Sequence, residues 1–284
     1  MRRQRLYQGK GHNGPGTGLY SAGICSFIIN DEIVECINTG DIEGLDTIGG
    51  IVGMVYNESN SIILIEKCIN QGNVKGNVKC GGIIGASEIS KIEVKEWKNT
   101  GNVKGYTDIA GIAYSIGNES VLENCINEGI LEQNYGVVGG ITAVSDGKIK
   151  NVSNTGDIYI IEGDACAGGI VGGNYGSIES AYNSGKINSV DSMNSFMGGI
   201  VGINESENDV VKYSYNKGII TGGGSVGGII GENLVGTVEE CFYYSDTLTK
   251  GVGSQDTDVA GETDKVDDNI NSYEEFLTWI ETKK

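Results

Sequence analysis

The sequence contains very little proline, histidine and basic charge. Among its 284 residues are 1 Pro and 1 His, and 38 acidic side chains outnumber 20 basic ones, which leaves a net charge of −18. This acidity argues against a protein that binds the nucleic-acid backbone, because contacts with phosphates require Lys and Arg. The single histidine, His12, lies in a Gly-rich terminal segment. Neither a Ser-His-Asp triad nor a zinc site of several imidazoles is therefore expected.

Long apolar stretches are also missing. No run approaches the ~20 apolar residues of a membrane-spanning helix, so no membrane-spanning segment is expected. The basic residues at 1–5 are not followed by the apolar core of a secretory signal. The chain is therefore expected to be either a cytoplasmic protein or a piece cut from a longer one. Aromatic side chains make up only 7% of the residues, which leaves Ile and Val to build the core.

Glycine, by contrast, is abundant, and its placement reveals a repeat. The 47 Gly are about twice the ordinary share, without the three-residue period of collagen. Gly-Gly-Ile, or a close variant, ends at Ile24, Ile51, Ile83, Ile112, Ile141, Ile170, Ile200 and Ile229. A second string, Asn-x-Gly, begins at Asn38, Asn70, Asn99, Asn127, Asn154, Asn183 and Asn216. The unit is about 29 residues long, and eight copies, the last one degenerate, occupy residues 18–245.

Each unit is predicted to form short β-strands. Around the Asn, as in residues 36–44, small or apolar residues alternate with polar ones, which is the period of a half-buried strand. No Pro or capping-box pattern opens a helix at the Gly-Gly-Ile strings. Two or three short strands cannot bury a core alone, whereas stacked units can. The repeat therefore predicts an all-β fold, a parallel and right-handed β-solenoid of about eight coils, in which one repeat makes one coil.

The repeated residues have distinct expected roles. Gly should supply positive φ at corners and allow backbones to approach closely. The Asn amide can bond to the same Asn one coil away, at a spacing of ~4.8 Å. The Ile of Gly-Gly-Ile should form a continuous internal ladder from Ile51 to Ile229. The cysteines at one repeat phase are Cys36, Cys68, Cys125 and Cys241, and because their parallel Cβ vectors disfavour disulfides, buried free thiols are predicted.

The Gly-Gly-Ile strand is apolar on both faces. Opposite the Ile ladder it carries Ile48, Cys80, Ile109, Val138, Ala167, Met197 and Val226. A strand that is apolar on both sides is normally covered on both sides. The sequence therefore predicts either a flattened coil of two sheets or self-association through this face.

Variation in repeat length falls at two corners of the coil. From the second Gly of Gly-Gly-Ile to the next Asn the distance runs from 14 to 20 residues, and solenoids accept insertions at corners. Acids at the first corner predict an acidic edge: Glu58, Glu88, Glu119, Glu205, Glu207 and Asp209. If the apolar face is buried, this edge is the remaining candidate surface for a partner.

Both ends depart from the repeat. Residues 1–17 are expected to be a flexible Gly-rich segment, and 246–268 an acidic linker. Within it, 256–267 carry acids at four calcium-loop positions and Gly at a fifth. Because Ala260 replaces one ligand, a solvated linker is favoured over a calcium site. Residues 269–284 predict a short amphipathic helix, with Asn271 or Ser272 as its N-cap, which closes the last coil or docks on a partner.

The pattern Cys-x-Asn-x-Gly-x-Val/Ile, followed by Val-Gly-Gly-Ile-Val-Gly, resembles the GLUG-motif repeat. Residues 68–85 and 182–202 match it closely, and the resemblance covers about four-fifths of the chain. It implies an extracellular or cell-surface bacterial protein of adhesin type, of which this chain, lacking a signal peptide and anchor, would be a fragment. Similar repeats occur in the non-catalytic part of immunoglobulin A1 peptidases, and the family repeat brings no catalytic residue.

Two functions are compatible with these features. The favoured one is a non-catalytic interaction or spacer module that binds a protein or carbohydrate on a host or neighbouring cell, with no catalytic residue, cofactor or metal. Gly-rich strings at 9–14 and 222–227 fit G-x-G-x-x-G, but neither lies in a strand–turn–helix unit. The alternative is a carbohydrate-active β-helix enzyme of the polysaccharide lyase or hydrolase type, since such sites use paired carboxylates. No coil, however, carries an unusual acidic cluster together with basic and aromatic residues.

Overall fold

Each repeat folds into one coil of a parallel β-solenoid, which confirms the all-β fold predicted from the sequence. A computed structural model describes residues 20–29, 31–56, 62–87, 91–190, 193–205, 210–255, 261–266 and 270–283, and the backbone of 3–5 and 8–9. Four sheets run along the solenoid, and neighbouring coils pair their equivalent strands in parallel. The sheet with the fewest strands has 7, so the described residues make about seven complete coils.

The chain passes through the four sheets in the same order in every coil. Sheet 1 contains Arg3–Arg5, Gln8–Gly9, Glu32–Val34, Ile37–Asn38, Ile63–Glu66, Ile69–Asn70, Ile92–Lys95, Lys98–Asn99, Val121–Glu123, Ile126–Asn127, Lys148–Asn154, Ser177–Asn183, Val210–Lys212, Tyr215–Asn216, Thr237–Tyr243 and Gly261–Lys265. Sheet 2 contains Ile42–Glu43, Val74–Lys75, Val103–Lys104, Leu131–Gln133, Ile158–Ile160, Ile187–Ser189 and Ile220–Thr221. Sheet 3 contains Ser21–Ala22, Ile48–Gly49, Cys80–Gly81, Thr107–Ala110, Tyr135–Gly139, Ala165–Gly168, Phe196–Gly198 and Ser225–Gly227. Sheet 4 contains Cys25–Ile29, Val52–Tyr56, Ile84–Ser87, Ala113–Ile116, Thr142–Ser145, Val171–Asn174, Val201–Asn204, Ile230–Asn233 and Val252–Gln255.

The predicted Ile ladder lies at the bend between sheets 3 and 4. The backbone N–H of Ile83 donates to the carbonyl of Ile112, and that of Ile141 to the carbonyl of Ile170, both at 2.9 Å. The ladder residues are all 0% exposed: Ile51, Ile83, Ile112, Ile141, Ile170, Ile200 and Ile229. Each Ile from Ile83 to Ile200 is therefore stacked between the equivalent Ile of the coils before and after it.

Two hydrophobic columns fill the interior of the coils. The larger column lies between sheets 1 and 4 and holds the Ile ladder together with Cys36 and its repeats. The smaller lies between sheets 2 and 3, where Ile48 and Cys80 meet Ile42 and Val74. The second apolar face of the Gly-Gly-Ile strand is thus buried within the coil. The coils contain four sheets rather than the two of the expected flattened coil. Because both apolar faces lie inside the coil, the reason for expecting self-association through this face no longer holds.

A ladder of asparagines separates the two columns. The Nδ2 of each Asn donates to the Oδ1 of the next, from Asn38 through Asn216, at 2.8–2.9 Å. In most coils the same Nδ2 also donates to the carbonyl of the Gly two residues later, as Asn99 does to Gly101 at 2.8 Å. The asparagines are 0% exposed. A buried amide requires such partners, and the ladder predicted from the sequence supplies them.

The motif glycines are required because backbone and Asn side chain approach each other closely. A Cβ placed on Gly82 would lie 2.1 Å from the carbonyl oxygen of Gly111 and 2.5 Å from Cγ of Asn99. Positive φ, the other expected role of Gly, is found among the described residues only at glycines outside the two motifs, such as Gly224. The recurring left-handed position at the bend of sheet 1 is occupied by other residues instead: Glu35, Lys67, Glu96, Asn124, Asn151, Ser180, Tyr213 and Glu240.

The outer surface of sheet 1 carries a ladder of alternating charge. Adjacent coils pair acid with base at one position over seven coils: Glu66, Lys95, Glu123, Lys150, Glu179, Lys212 and Glu239. The pKa of Lys95 is raised, first by its hydrogen bond to Glu93 and also by the charges of Glu123 and Glu66. Opposite charges on directly paired strands favour the observed register of the coils. If a strand paired instead with the equivalent strand two coils away, acid would face acid and base would face base.

Both ends of the solenoid extend further than the sequence indicated. Arg3–Arg5 and Gln8–Gly9 pair with Glu32–Val34 and Ile37–Asn38, within a segment expected to be flexible. At the other end, Val252–Gln255 pairs with sheet 4 and Gly261–Lys265 with sheet 1. The segment expected to be an acidic linker therefore adds strands to the last coil, because its backbone satisfies the hydrogen bonds of an otherwise open sheet end.

The helix Tyr273–Ile280 lies against the side of the solenoid rather than across its end. The hydroxyl of Ser272 accepts a hydrogen bond from the N–H of Glu275 at 3.1 Å, which makes Ser272 the N-cap. Three aromatic side chains of successive coils face the helix outside sheet 1, namely Tyr182, Tyr215 and Phe242. The ring of Phe276 lies 5.6 Å from that of Tyr182. The predicted helix is present, but it covers an aromatic patch instead of closing the last coil. It is too short and polar to span a membrane, and no described helix does so.

All seven cysteines are free, and five of them are buried. Burial raises the pKa of Cys125 and of Cys241 to about 12. The pKa of Cys68 is also raised, chiefly by a hydrogen bond with Cys36 and then by burial. The prediction of buried free thiols at this repeat position is confirmed, and their high pKa values leave them poorly reactive as nucleophiles.

Candidate functional site

The coils are least uniform at the return corner, the segment that joins sheet 4 to sheet 1 of the next coil. It spans residues 117–120 in one coil. In the next two coils it shrinks to two residues, Asp146–Gly147 and then Tyr175–Gly176. The two short corners beside the longer one leave a depression in the surface.

This depression is a cleft of about 850 Å³ that opens to solvent on one side. Residues of three successive coils line it: Asn118, Glu119, Val121, Asp146, Gly147, Lys148, Tyr175, Gly176 and Ser177. We call it the return-corner cleft. Its volume lies within the range of small-molecule sites, and it combines acidic, basic, amide, hydroxyl and aromatic side chains.

Backbone hydrogen bonds between coils hold the cleft in shape. The N–H of Tyr175 donates to the carbonyl of Ser145 at 2.8 Å, and the N–H of Ser177 donates to the carbonyl of Gly147 at 3.1 Å. A Cβ on Gly176 would lie 2.1 Å from the carbonyl oxygen of Gly147. Because only glycine permits this approach, the floor of the cleft is rigid and close to the backbone.

One wall of the cleft is formed by Glu119. Its backbone φ is +62°, in the left-handed region, and its N–H donates to the side-chain oxygen of Asn118 at 2.8 Å. The Glu119 carboxylate forms an ion pair with Lys91, and its side chain is 60% exposed. The carboxylate is therefore neutralised by Lys91 but remains open to a ligand.

Asp146 and Lys148 provide the central charges. Within the described part of the chain, neither side chain forms a recorded hydrogen bond or ion pair. Burial against the corner raises the pKa of the Asp146 carboxyl above its usual value. Both side chains are therefore available to a ligand, the carboxylate as an acceptor and the ammonium as a donor.

The opposite wall is the ring of Tyr175. Its hydroxyl donates a hydrogen bond to Glu205 in the next coil. This bond, together with burial, raises the pKa of Tyr175 to about 12. The residue is 40% exposed, so it contacts solvent while its hydroxyl is held by Glu205. Burial and the charge of Glu205 also raise the pKa of Glu232.

The cleft brings together part of the acidic edge predicted from the sequence. Glu119 lines it and Glu205 lies behind Tyr175, whereas Glu58, Glu88, Glu207 and Asp209 lie outside the described residues, as does His12. Asp256, Asp258 and Asp267 of the calcium spacing lie outside them as well, whereas Asp264 lies in the strand Gly261–Lys265. Among the described residues, no group of three or more His, Cys, Asp or Glu could hold a metal ion.

Sequence analysis missed the combination of Asp146, Lys148 and Tyr175. The signal was the repeat length, because Gly140 to Asn154 and Gly169 to Asn183 are the two shortest spacings, 14 residues each. A corner shorter than the one next to it predicts a depression in the surface of the solenoid. This prediction requires knowing that the corners of successive coils stack on one another. The sequence analysis considered acids, bases and aromatic residues within single coils, whereas the cleft combines residues of successive coils.

Comparisons with known proteins agree with the repeat and the fold. A family model described as the GLUG motif matches residues 163–188, which confirms the resemblance found in the sequence. No curated protein sequence matches the chain. The structure is similar to that of a proposed immunoglobulin A1 protease from Bacteroides ovatus, with a TM-score of 0.52, 17% sequence identity, and coverage of 92% of this chain and 82% of that chain. At this identity the likeness concerns the fold alone: the protein is a GLUG-like parallel β-solenoid.

Proposed function

We propose that the protein is a non-catalytic interaction module of an extracellular or surface-attached bacterial protein, and that the return-corner cleft is where it contacts its ligand. The observation that carries the proposal is the local shortening of two corners, which lets three coils contribute side chains to one cavity. The GLUG motif and the immunoglobulin A1 protease-like neighbour support an extracellular location. Binding sites grafted on a regular scaffold are the usual source of function in such folds.

The remaining coils are suited to a stiff scaffold. The Asn ladder, the Ile ladder and the charge ladder all repeat in register from coil to coil. Each coil contacts mainly its two neighbours, as in other repeat proteins. A ligand held in the cleft would therefore be presented at a fixed distance along the solenoid, which is what an adhesive or spacing module requires.

The cleft also contains one feature that favours the alternative function, a polysaccharide-cleaving enzyme. Asp146 has a raised pKa, as a general acid in glycoside hydrolysis does. Against this, Glu119 is 60% exposed and already paired with Lys91. A nucleophile or base in such an enzyme must be positioned against the scissile bond. The geometry therefore supports binding better than cleavage.

The proposal is tested by incubating fluorescently labelled protein with intact bacterial and epithelial cells and measuring the bound fraction. We expect saturable binding that is lost in Tyr175→Ala and kept in Tyr135→Ala. Tyr135 is the matched control, because it is 42% exposed against 40% for Tyr175 and lies in a strand of sheet 3, outside the residues that line the cleft. Circular dichroism of each variant verifies that the solenoid is intact.

Two results would overturn the proposed function. If wild-type protein binds no cell surface, the molecule is not an interaction module. If it binds and then releases soluble oligosaccharides from the cells, the molecule is an enzyme.

A further inference from the structure

We infer that the return-corner cleft recognises a neutral saccharide chain, an inference that rests on the proposed function. The site combines balanced charge, clustered hydrogen-bonding groups and an exposed aromatic ring. No one of these is specific by itself. Together they fit an uncharged ligand that has many hydroxyl groups and a ring with an apolar face.

The two acids that line the cleft are matched by two lysines. Glu119 and Asp146 carry one negative charge each, while Lys148 in the cleft and Lys91 beside it each carry one positive charge. Glu205, which accepts the hydrogen bond of Tyr175, adds one negative charge nearby, and the protein as a whole has a net charge of −18. An anionic ligand would be repelled by the overall field, and a cationic ligand would meet Lys148 and Lys91. A neutral ligand avoids both costs.

The hydrogen-bonding groups supply donors and acceptors side by side. The carboxylates of Glu119 and Asp146 accept, the ammonium of Lys148 donates, and Asn118 and Ser177 can do both. A sugar hydroxyl is likewise both a donor and an acceptor. Because hydrogen bonds to charged groups are stronger than neutral ones, Asp146 and Lys148 are expected to supply most of the polar recognition.

Tyr175 supplies the apolar contact. Its side chain lines the cleft and is partly exposed, and its hydroxyl donates a hydrogen bond to Glu205. The ring therefore loses little freedom when a ligand binds, which favours affinity. Aromatic side chains combine an apolar face with a fixed orientation, and the C–H face of a pyranose ring can pack against such a surface.

The dimensions favour a chain rather than a single sugar. Three coils at a spacing of ~4.8 Å make a cleft about 10 Å long, and its volume is about 850 Å³. It is open to solvent, so an oligosaccharide can extend beyond it. We therefore expect a trisaccharide to bind more tightly than the corresponding monosaccharide.

The test is isothermal titration calorimetry with a panel of neutral trisaccharides built from glucose, mannose, galactose or N-acetylglucosamine. A sulfated disaccharide and trilysine serve as the charged probes. At least one neutral trisaccharide should bind wild-type protein. Its Kd should rise about tenfold in Tyr175→Ala, equivalent to about 1.4 kcal/mol. Asp146→Asn should also weaken binding, whereas Tyr135→Ala should leave the Kd unchanged.

The outcomes separate this inference from the proposed function. If no neutral trisaccharide binds, or only a charged probe binds, the saccharide inference is wrong, while cell binding sensitive to Tyr175→Ala would still support an interaction module. If a trisaccharide binds equally well to Tyr175→Ala, the cleft is not its site. If the trisaccharide binds in the cleft but is recovered in shortened form, the inference stands and the non-catalytic function fails.

Discussion

The substitution Asn127→Ala removes one member of the buried ladder that separates the two hydrophobic columns. Four hydrogen bonds depend on this side chain. Its Nδ2 donates to Asn154 at 2.8 Å and to Gly129 at 3.0 Å, while its Oδ1 accepts from Asn99 at 2.9 Å and from the N–H of Gly129 at 3.2 Å. Each contributes about 1 kcal/mol net, so unfolding should become easier by about 4 kcal/mol.

The cost arises because the partners remain buried after the side chain is gone. Asn154 Oδ1 loses the donor recorded for it, and both residues are 0% exposed. A buried polar atom without a partner is destabilising, whereas an exposed one is hydrated by water. The matched control is Asn102→Ala, because the Asn102 side chain accepts one hydrogen bond, from the N–H of Ile130 at 3.0 Å, and is exposed.

The measurement is urea unfolding followed by circular dichroism for wild type and both variants. We expect a loss of about 4 kcal/mol for Asn127→Ala and less than about 1 kcal/mol for Asn102→Ala, since hydrogen bonds of exposed groups contribute little. Equal losses in the two variants would refute the reasoning, because burial of the ladder would then contribute nothing. A loss below about 1 kcal/mol for Asn127→Ala would do the same.

Three further predictions follow from individual contacts. Gly140→Ala should be strongly destabilising, because the added Cβ would lie 2.0 Å from a backbone carbonyl oxygen. Gly173→Ala should be tolerated, because the nearest atom to its added Cβ is 3.7 Å away. Thermal unfolding of the two variants compares these effects, and equal melting temperatures would contradict the packing argument. Tyr175 should ionise at about pH 12 rather than near 10, so its contribution to stability is complete below pH 10 and lost as the pH rises through 12. The ionisation of Tyr175 is measured as the difference between the near-ultraviolet absorbance titrations of wild type and Tyr175→Phe. Glu205→Gln should lower the pKa of Tyr175, because it removes the carboxylate that accepts the hydrogen bond. Iodoacetamide should label at most the two half-buried cysteines of native protein and all seven after unfolding; labelling of the buried five in native protein would contradict their burial.

Most of the fold could be predicted because the repeat is nearly unbroken. The Ile ladder and the Asn ladder follow directly from spacing, since a residue that recurs once per coil must stack on itself. The two columns could not be derived in the same way. Alternation in the Gly-Gly-Ile strand shows that both faces are apolar, but not that residues such as Ile42 and Val74 cover the second face.

The ends were harder to predict because there the contacts are not periodic. The helix was recognised from its N-cap and apolar face, yet its position depends on Tyr182, Tyr215 and Phe242, which replace polar or aliphatic residues of earlier coils. A polar segment such as 261–265 gives no hydrophobic signal, and it joins sheet 1 through backbone hydrogen bonds. Sequence patterns report side-chain burial and do not report this kind of pairing.

The site was only partly predictable for a related reason. The acidic edge could be read from the corners, and Glu119 and Glu205 do lie at the cleft. Asp146 and Tyr175 occupy the same corner position in successive coils, and Lys148 begins the strand after Asp146. Their proximity depends on how far each corner projects, which is a property of the stacked coils and not of any single unit.

The most direct test of the account is a crystal structure of the protein soaked with the neutral trisaccharide that binds most tightly. The account predicts a sugar ring packed on Tyr175, hydroxyl groups within hydrogen-bond distance of Asp146 and Lys148, and both glycosidic linkages intact. A trisaccharide bound elsewhere on the solenoid would contradict the assignment of the cleft. A cleaved trisaccharide in the cleft would contradict the conclusion that the protein binds without catalysis.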